Sequence, residues 1–297
     1  MPHIAVCICT YKRQRLLIRL LDHVAKQETN NRFTVSITVV DNDAAASAES
    51  SVLQFAATSA VPVKYFVEPR QSICLARNKA VEESDADLVA FIDDDEFPAS
   101  RWLLNLFNAC CEEGVSGVIG PVKRHFDEQP PKWIVKGPFY QRPTHPTGFV
   151  IDWREGRTGN VILKHRLFKV GAPPFDPEFH RGGDTDFFRR MTQQGHVFIW
   201  CNEAVVYEVV PPTRWSRKFM LQRALVRGTI NGLHTRRCAR SVATSSIAVA
   251  LYTIALPWAL IIGQHRFMIL AIKICDHLGK LLTWCGVSAV QNQYVTD

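Results

Sequence analysis

The sequence predicts an α/β fold, a doubly covered and mostly parallel sheet followed by C-terminal membrane-associated helices. Three observations carry this. Short apolar runs alternate with stretches of helical spacing at βα intervals. Most of the apolar runs are apolar on both faces, as strands buried between two helical layers are. Thr10-Tyr11, Asp41 and Asp93-Asp94-Asp95 each stand at the end of such a run. In parallel sheets, ligands bind beyond the carboxyl ends of the strands.

The elements follow in order. Residues 3–9 (HIAVCIC) form the first strand, ending in Thr10-Tyr11-Lys12-Arg13. Leu16, Leu17, Leu20, Leu21 and Val24 give a helix. Strands at 33–40, 63–67 and 88–92 alternate with helices at 52–57 and 73–83. A helix at 102–111 and a strand at 117–122 come next. The pattern breaks over 123–159, rich in Pro, Gly and aromatics, which reads as structured loops lining a site. A short strand at 160–163, a helix at 184–194 and last strands at 197–199 and 204–206 complete the body.

Of the 297 residues 47% are hydrophobic and 21% charged, enough for a real core, so general disorder is excluded. The 35 Lys and Arg exceed the 28 Asp and Glu by seven. The excess has an address: eight bases and no acid lie between Val209 and Arg240, leaving 27 bases against 28 acids elsewhere. No basic surface remains on the body to track a nucleic acid. The nine cysteines include no C-x-x-C pair and read as reduced core residues. Met1–Arg13 places bases after a short apolar run, the reverse of secretory order, so the bulk is expected in a reducing cytosol.

Residues 244–263 carry no formal charge, a length that matches one bilayer crossing or a buried hydrophobic helix. In residues 267–284, Lys273, Asp276, His277 and Lys280 share one stripe opposite apolar positions, an amphipathic helix lying on a membrane or on the body. The expected division is a catalytic domain over 1–208, a basic collar over 209–240 and a membrane-associated tail over 241–297.

Five constellations carry chemistry. Asp93-Asp94-Asp95-Glu96 follows an apolar strand, and four adjacent carboxylates repel one another unless something cationic binds there. Mg²⁺ or Mn²⁺ takes such oxygens together with substrate phosphates. Asp41, with Asn42 and Asp43, suits a base N–H or a ribose hydroxyl; an Asx turn is the plainer reading. Arg77 faces the acidic run, a diphosphate or solvent. Asp184 and Asp186 follow two glycines at a helix start, where a carboxylate caps amides or serves as general base. Arg214, Arg223 and Arg227 of the collar suit a substrate diphosphate, lipid headgroups or plain solvation.

Together these residues resemble the family-2 glycosyltransferases of GT-A (Rossmann-like) fold, within them the succinoglycan or exopolysaccharide branch. The resemblance rests on Thr10-Tyr11-Lys12-Arg13, Val40-Asp41-Asn42, Leu75-Ala76-Arg77-Asn78, Phe91-Ile92-Asp93-Asp94-Asp95-Glu96 with Trp102-Leu103, Gly159-Asn160-Val161 and Gly183-Asp184-Thr185-Asp186-Phe187-Phe188. It implies a nucleotide-sugar donor, most often a UDP-sugar, and inversion at the anomeric carbon. It places Thr10, Tyr11, Arg13, Asp41, Arg77 and Asp94 around the nucleotide, Asp93 at ribose or sugar, and Asp95 on Mg²⁺ or Mn²⁺. Asp184 matches the family's base, with Asp186 its rival because Gly183 replaces a common acid. Where many members carry a metal-binding His, this chain has Tyr207-Glu208, which makes Glu208 the substitute ligand. The implied acceptor is a saccharide or polyprenyl-linked saccharide, met at the cytoplasmic face of the inner membrane beside anionic lipid. A metal-dependent nucleotidyltransferase and a catalytically silent membrane scaffold are the alternatives. No glycine lies among the first hundred residues to build a triphosphate loop, which disfavours the former; the retained carboxylates disfavour the latter.

Overall fold

A computed structural model describes residues 1–112, 114–169, 173–179, 182–235 and 237–287. Arg236 of the basic run and residues 288–297 of the expected tail lie outside the described residues. The chain divides into two compact units: Met1–Arg124 with Arg142–Val209, and His125–Gln141 with the described residues from Val210 onward.

The first unit is built on a seven-stranded sheet in the order β3-β2-β1-β4-β8-β6-β9. Its strands are β1 (His3–Thr10), β2 (Thr34–Asp41), β3 (Val63–Val67), β4 (Leu88–Ile92), β6 (Val115–Ile119), β8 (Asn160–Lys164) and β9 (Val197–Trp200). Neighbours pair in parallel except where β8 runs antiparallel between β4 and β6. The sheet is doubly covered for a reason visible in β1. Ile4, Val6 and Ile8 pack with Leu17, Leu20 and Leu21 of α1 (Gln14–Ala25) and Trp102 and Phe107 of α4 (Trp102–Cys110). Ala5 and Cys7 point the other way, into a layer with Cys74, Ala76 and Ala80 of α3 (Ile73–Glu82) and Phe187, Phe188 and Met191 of α6 (Gly183–Gln193). Each large apolar side chain so buried contributes about 1.5–3 kcal/mol of transfer free energy. α2 (Glu49–Ala56) covers the β2–β3 end through Val52.

The chain runs outward from β1 through β2 to β3, then returns so that β4 pairs with the other side of β1. That reversal is a topological switch point, where the carboxyl ends of two neighbouring strands leave a crevice. Thr10 ends β1, and Asp93 follows β4 directly.

Three differences from the sequence expectation have local causes. The strand expected over 117–122 is two, because Gly120-Pro121 interrupts it: β6 stays in the large sheet and β7 (Val122–His125) joins a second sheet, ordered β5-β10-β7. Proline has no N–H to continue a ladder. β5 (Glu96–Pro98) was hidden by its length of three residues inside an acidic run. The last strand is β10 (Val206–Val209) rather than 204–206, its register fixed by antiparallel pairing of Glu208 with Glu96.

The second unit holds α5 (Lys132–Lys136), α7 (Arg217–His234), α8 (Ala239–Ile262) and α9 (Gln264–Trp284). Its core includes Ile134, Phe139, Trp215, Met220 and Met268. α9 packs against both α7 and α8. A side chain at Gly228 would strike the Asp276 backbone, and one at Gly279 the Leu225 carbonyl, so the α7–α9 crossing requires glycine on both helices. α8 is long and apolar enough to cross a membrane by length and composition.

Candidate functional site

The carboxyl ends of β1 and β4 bring together the residues that the motifs single out. The Thr10 hydroxyl donates to Asp94 Oδ2 at 2.9 Å, and Arg13 donates to Asp94 Oδ1 at 2.8 Å while lying 3.3 Å from Asp95 Oδ2. Asp94 is 5% exposed, and burial pushes its carboxyl up to about 6 despite Arg13. Burial opposes the charge on Arg13, but Asp94 and Asp95 outweigh it and hold the guanidinium firmly protonated. Tyr11 carries Lys12 over its ring at 5.2 Å.

Arg77 of α3 lies 3.7 Å from Asp93 Oδ1, so it faces the acidic run. α3 is fixed there by Asn78, whose side chain exchanges hydrogen bonds with the Phe175 backbone at 2.7 and 2.9 Å. The Asp93 side chain is 44% exposed, the most open of the acidic run, and partial desolvation of its carboxylate in the crevice, with Asp95 beside it, raises its pKa against the pull of Arg77. Gly159 enforces this packing: a Cβ there would stand 2.9 Å from Asp93 Oδ2 and 3.1 Å from Glu96 Oε1. Asn160 fixes the same turn, accepting from the Trp102 indole at 2.7 Å and donating to the carbonyls of Pro121 and Ala204.

Three further groups complete the floor: Glu96, the last member of the acidic run, and two arginines that sequence reasoning missed. Glu96 is buried; its Oε2 accepts from the Asp93 amide at 3.3 Å, its Oε1 has no hydrogen-bond partner, and burial with Asp93 and Asp95 drives its carboxyl well above the ordinary range. Arg142 donates to Glu208 at 2.5 Å, and Glu208, Glu96 and Asp93 together overcome its burial to keep it charged. Arg157 has a buried Nε without a partner, and burial and Arg142 lower its pKa within the field of Glu96, Glu155 and Asp184. Both arginines lie in the aperiodic 123–159 stretch, where the only available signal was a cation flanked by proline or glycine.

Three residues with expected roles have their oxygens engaged within the protein. Asp41 is fully buried; its Oδ2 accepts from the Ala48 amide and the Tyr65 hydroxyl, and its Oδ1 from the Asp43 amide. It therefore closes an Asx turn, with both oxygens engaged within the protein. Asp43, two residues on, keeps a buried Oδ2 with no hydrogen-bond partner, 3.9 Å from Lys12. Glu208 holds Arg142 rather than standing open for a metal. Asp186 is taken by its own helix: Arg189 donates to one oxygen at 2.6 Å and Arg190 to the other at 2.8 Å. These bonds outweigh burial and hold its carboxyl below the ordinary range. Among the described residues, Asp184, in the first turn of α6, accepts only from the Thr185 amide, at 2.9 Å, and is near enough to raise Asp93.

In the second unit, Arg227 is paired with Asp276, Arg223 lies 5.7 Å from the Tyr140 ring, and Arg214 is buried with its carbonyl bonded by the Tyr140 hydroxyl.

Among the described residues, no three Asp, Glu, His or Cys side chains converge as a ready-made metal cage. The donor chemistry nevertheless suits a hard cation. Asp93, Asp94 and Glu96 all have raised pKa values, first because desolvation disfavours their charged forms and then because carboxylates crowd one another, and Glu96 keeps a buried oxygen with no hydrogen-bond partner.

The sequence model of glycosyl transferase family 2 matches residues 5–171. The chain is 31% identical over 232 residues to the succinoglycan biosynthesis protein ExoM of Rhizobium meliloti (strain 1021), spanning 77% of this chain and 74% of that protein. Its fold is similar to that of the mannosyltransferase PcManGT from Pyrobaculum calidifontis, solved in complex with GDP-Man and Mn2+ (TM-score 0.63, 17% identity, 94% of this chain and 87% of that one). It is also similar to S. aureus TarS 1-349 in complex with UDP (TM-score 0.55, 15% identity, 95% and 91%). Of a further TarS chain it spans 39%, at a TM-score of 0.53, 18% identity and 75% of this chain.

Proposed function

This chain belongs to glycosyl transferase family 2, and we propose that it moves a sugar from a nucleotide donor, with inversion, onto a saccharide or lipid-linked saccharide during exopolysaccharide synthesis. The observation that carries the mechanism is the contrast between two carboxylates on one helix. Asp186 has both oxygens engaged by arginine, whereas Asp184, close enough to Asp93 to raise its pKa, has among the described residues only a local amide bond. An available carboxylate with an ordinary neighbourhood is what a general base needs.

In this reading Asp184 takes the proton of the acceptor hydroxyl, and that oxygen attacks the anomeric carbon as the bond to the nucleoside diphosphate breaks. Asp93, the exposed member of the run, orients the ribose or the donor sugar. Arg77 steadies Asp93 and lies within reach of a diphosphate. Asp43, with its unpartnered oxygen, takes the place that Asp41 cannot fill at the base or ribose. Asp93 and Asp95 would hold Mg²⁺ or Mn²⁺, which would neutralise charge on the leaving diphosphate. Arg13 keeps Asp94 and Asp95 in position for this.

The test is transfer by the Asp184→Asn and Asp186→Asn variants, each checked for folding by thermal melt, with a panel of nucleotide sugars assayed for UDP or GDP release. Asp184→Asn is expected to lose roughly 10²–10⁴-fold in kcat while still binding the nucleotide by calorimetry. Full activity in Asp184→Asn alongside loss in Asp186→Asn would transfer the base role to Asp186.

A further inference from the structure

The structure carries one observation that the catalytic reading leaves unused: α8 is inside out. Its large apolar residues Ile247, Leu251, Ile254, Trp258 and Ile261 point outward, from 59% to 79% exposed. Only Ser245 and Ala259 of α8 are buried, and its half-buried stripe mixes Ala248 and Ala255 with Val242, Val249, Tyr252 and Leu256. A water-facing helix has the opposite pattern.

Length and composition alone would make α8 a bilayer span. Its partner helix argues otherwise. α9 turns back at Gly263 and runs antiparallel to α8: Ser245 meets His277 at 3.3 Å, and Lys273 lies over the Tyr252 ring at 5.3 Å. Lys273 is ten residues past the turn, about 15 Å along the helix, which is the depth of a bilayer midplane. Its side chain is exposed. Asp276 lies deeper still and is paired with Arg227, so α7 would be drawn in through its glycine crossing with α9. A crossing α8 would thus place an exposed lysine and a second charged helix in hydrocarbon.

The flanking charges point the same way. Arg237 and Arg240 are exposed at one end of α8, and Arg266 is exposed just past the other. Cations beside both ends fit one anionic surface, whereas a span concentrates them on one side. They also disfavour a second copy as the cover, since antiparallel pairing of two α8 helices would bring Arg240 against Arg266.

We infer that α8 lies in the plane of the membrane, its outer apolar face sunk into one anionic leaflet and both ends on the cytoplasmic side. Trp258 then sits at headgroup depth, and Lys273 reaches sideways to the same surface. The inference deepens the membrane-side acceptor reading and rests on it.

Cysteine accessibility in the full chain tests this. Cys238 is exposed at the start of α8. His265→Cys marks the other end, with Cys111→Ser and Cys285→Ser removing the other exposed thiols. Membranes from expressing cells are labelled with an impermeant maleimide as inverted vesicles and as spheroplasts. Both sites are expected to react in inverted vesicles and neither in spheroplasts. One site reactive from each side would overturn the in-plane placement in favour of a span. A chain recovered in the soluble fraction, as monomer or dimer, would overturn both this inference and the membrane-side reading. In a second measurement, Ile254→Glu with Trp258→Glu is expected to lower binding to phosphatidylcholine vesicles containing phosphatidylglycerol at least tenfold. Transfer to a soluble acceptor should persist, and unchanged vesicle binding would refute the apolar contact. Loss of transfer with the labelling pattern intact would instead fault the catalytic reading alone.

Discussion

Arg13 offers the sharpest test of how the acidic run is held. It lies on Asp94 at 2.8 Å and on Asp95 at 3.3 Å, and Asp94 is 5% exposed. Asp94 already titrates at about 6 with Arg13 present, because burial raises it more than Arg13 lowers it. An acid whose folded pKa is raised favours folding when protonated. Its contribution is present below its unfolded value near 4 and is lost as pH rises through about 6. Arg13→Leu removes the compensating cation, and a buried carboxylate left unpaired costs about 3–5 kcal/mol. Arg13 is 19% exposed, so solvent screening trims this to roughly 2–4 kcal/mol. At about 2–4 °C per kcal/mol, the melting temperature at pH 7 should fall by roughly 5–15 °C. At pH 5, where Asp94 takes up a proton in either protein, most of the difference should vanish. Asp94→Asn in the Arg13→Leu background should recover most of the loss at pH 7. Melts by circular dichroism at the two pH values decide it. An equal fall at both pH values, or no rescue by Asp94→Asn, would refute the electrostatic account and leave lost packing as the cause.

Other outcomes follow from the same geometry. Gly159→Ala pushes a methyl against Asp93 and Glu96, and should weaken nucleotide-sugar binding at least tenfold by calorimetry with the fold retained; unchanged binding would show that Asp93 is not held by this contact. Asp186→Asn removes a carboxylate with a lowered pKa, so it should cost about 1–3 kcal/mol at pH 7, with the difference fading as pH falls through 4, and should spare kcat. Glu208→Gln should loosen Arg142 and lower stability by about 1–2 kcal/mol without shifting the divalent-ion dependence of transfer; a weakened metal response would restore Glu208 as a ligand.

The body of the fold was legible because β1, β2 and β4 are buried on both faces and bounded by polar ends. β5 was not legible, since three residues leave no period to detect. The site was half legible. The order of elements brings Thr10, Arg13, Arg77 and the acidic run together, and each stands where the strand ends place it. Asp41 looked like a ligand residue because strand-end carboxylates so often are, but its fate depended on Tyr65 and Ala48, which only the folded chain brings near. Arg142 and Arg157 were invisible because loop residues acquire their partners from tertiary structure alone.

The acidic run raised the question of which cation relieves four adjacent carboxylates, and the answer assigns the chemistry. Arg13 lies on Asp94 and Asp95, Arg142 on Glu208, and Arg189 with Arg190 on Asp186. Arg77 only approaches Asp93, at 3.7 Å and with nearly half of that side chain open to solvent. Arginine pairing lowers a carboxylate's capacity to bind a ligand or accept a proton, because its lone pairs are used and its charge is met. Sorting these acids by arginine contact sets Asp93, only approached by Arg77, and Asp184, with no arginine pairing among the described residues, apart from Asp94, Asp95, Glu208 and Asp186. Asp93 and Asp184 also sense one another electrostatically. One stands at the strand end, where the proposed mechanism brings the donor sugar, and the other at a helix start, where it calls for a base. In the proposed mechanism the arginines thus do more than balance charge: by occupying other carboxylates, they would separate donor handling at Asp93 from proton removal at Asp184, the division of labour that a single-displacement transfer requires.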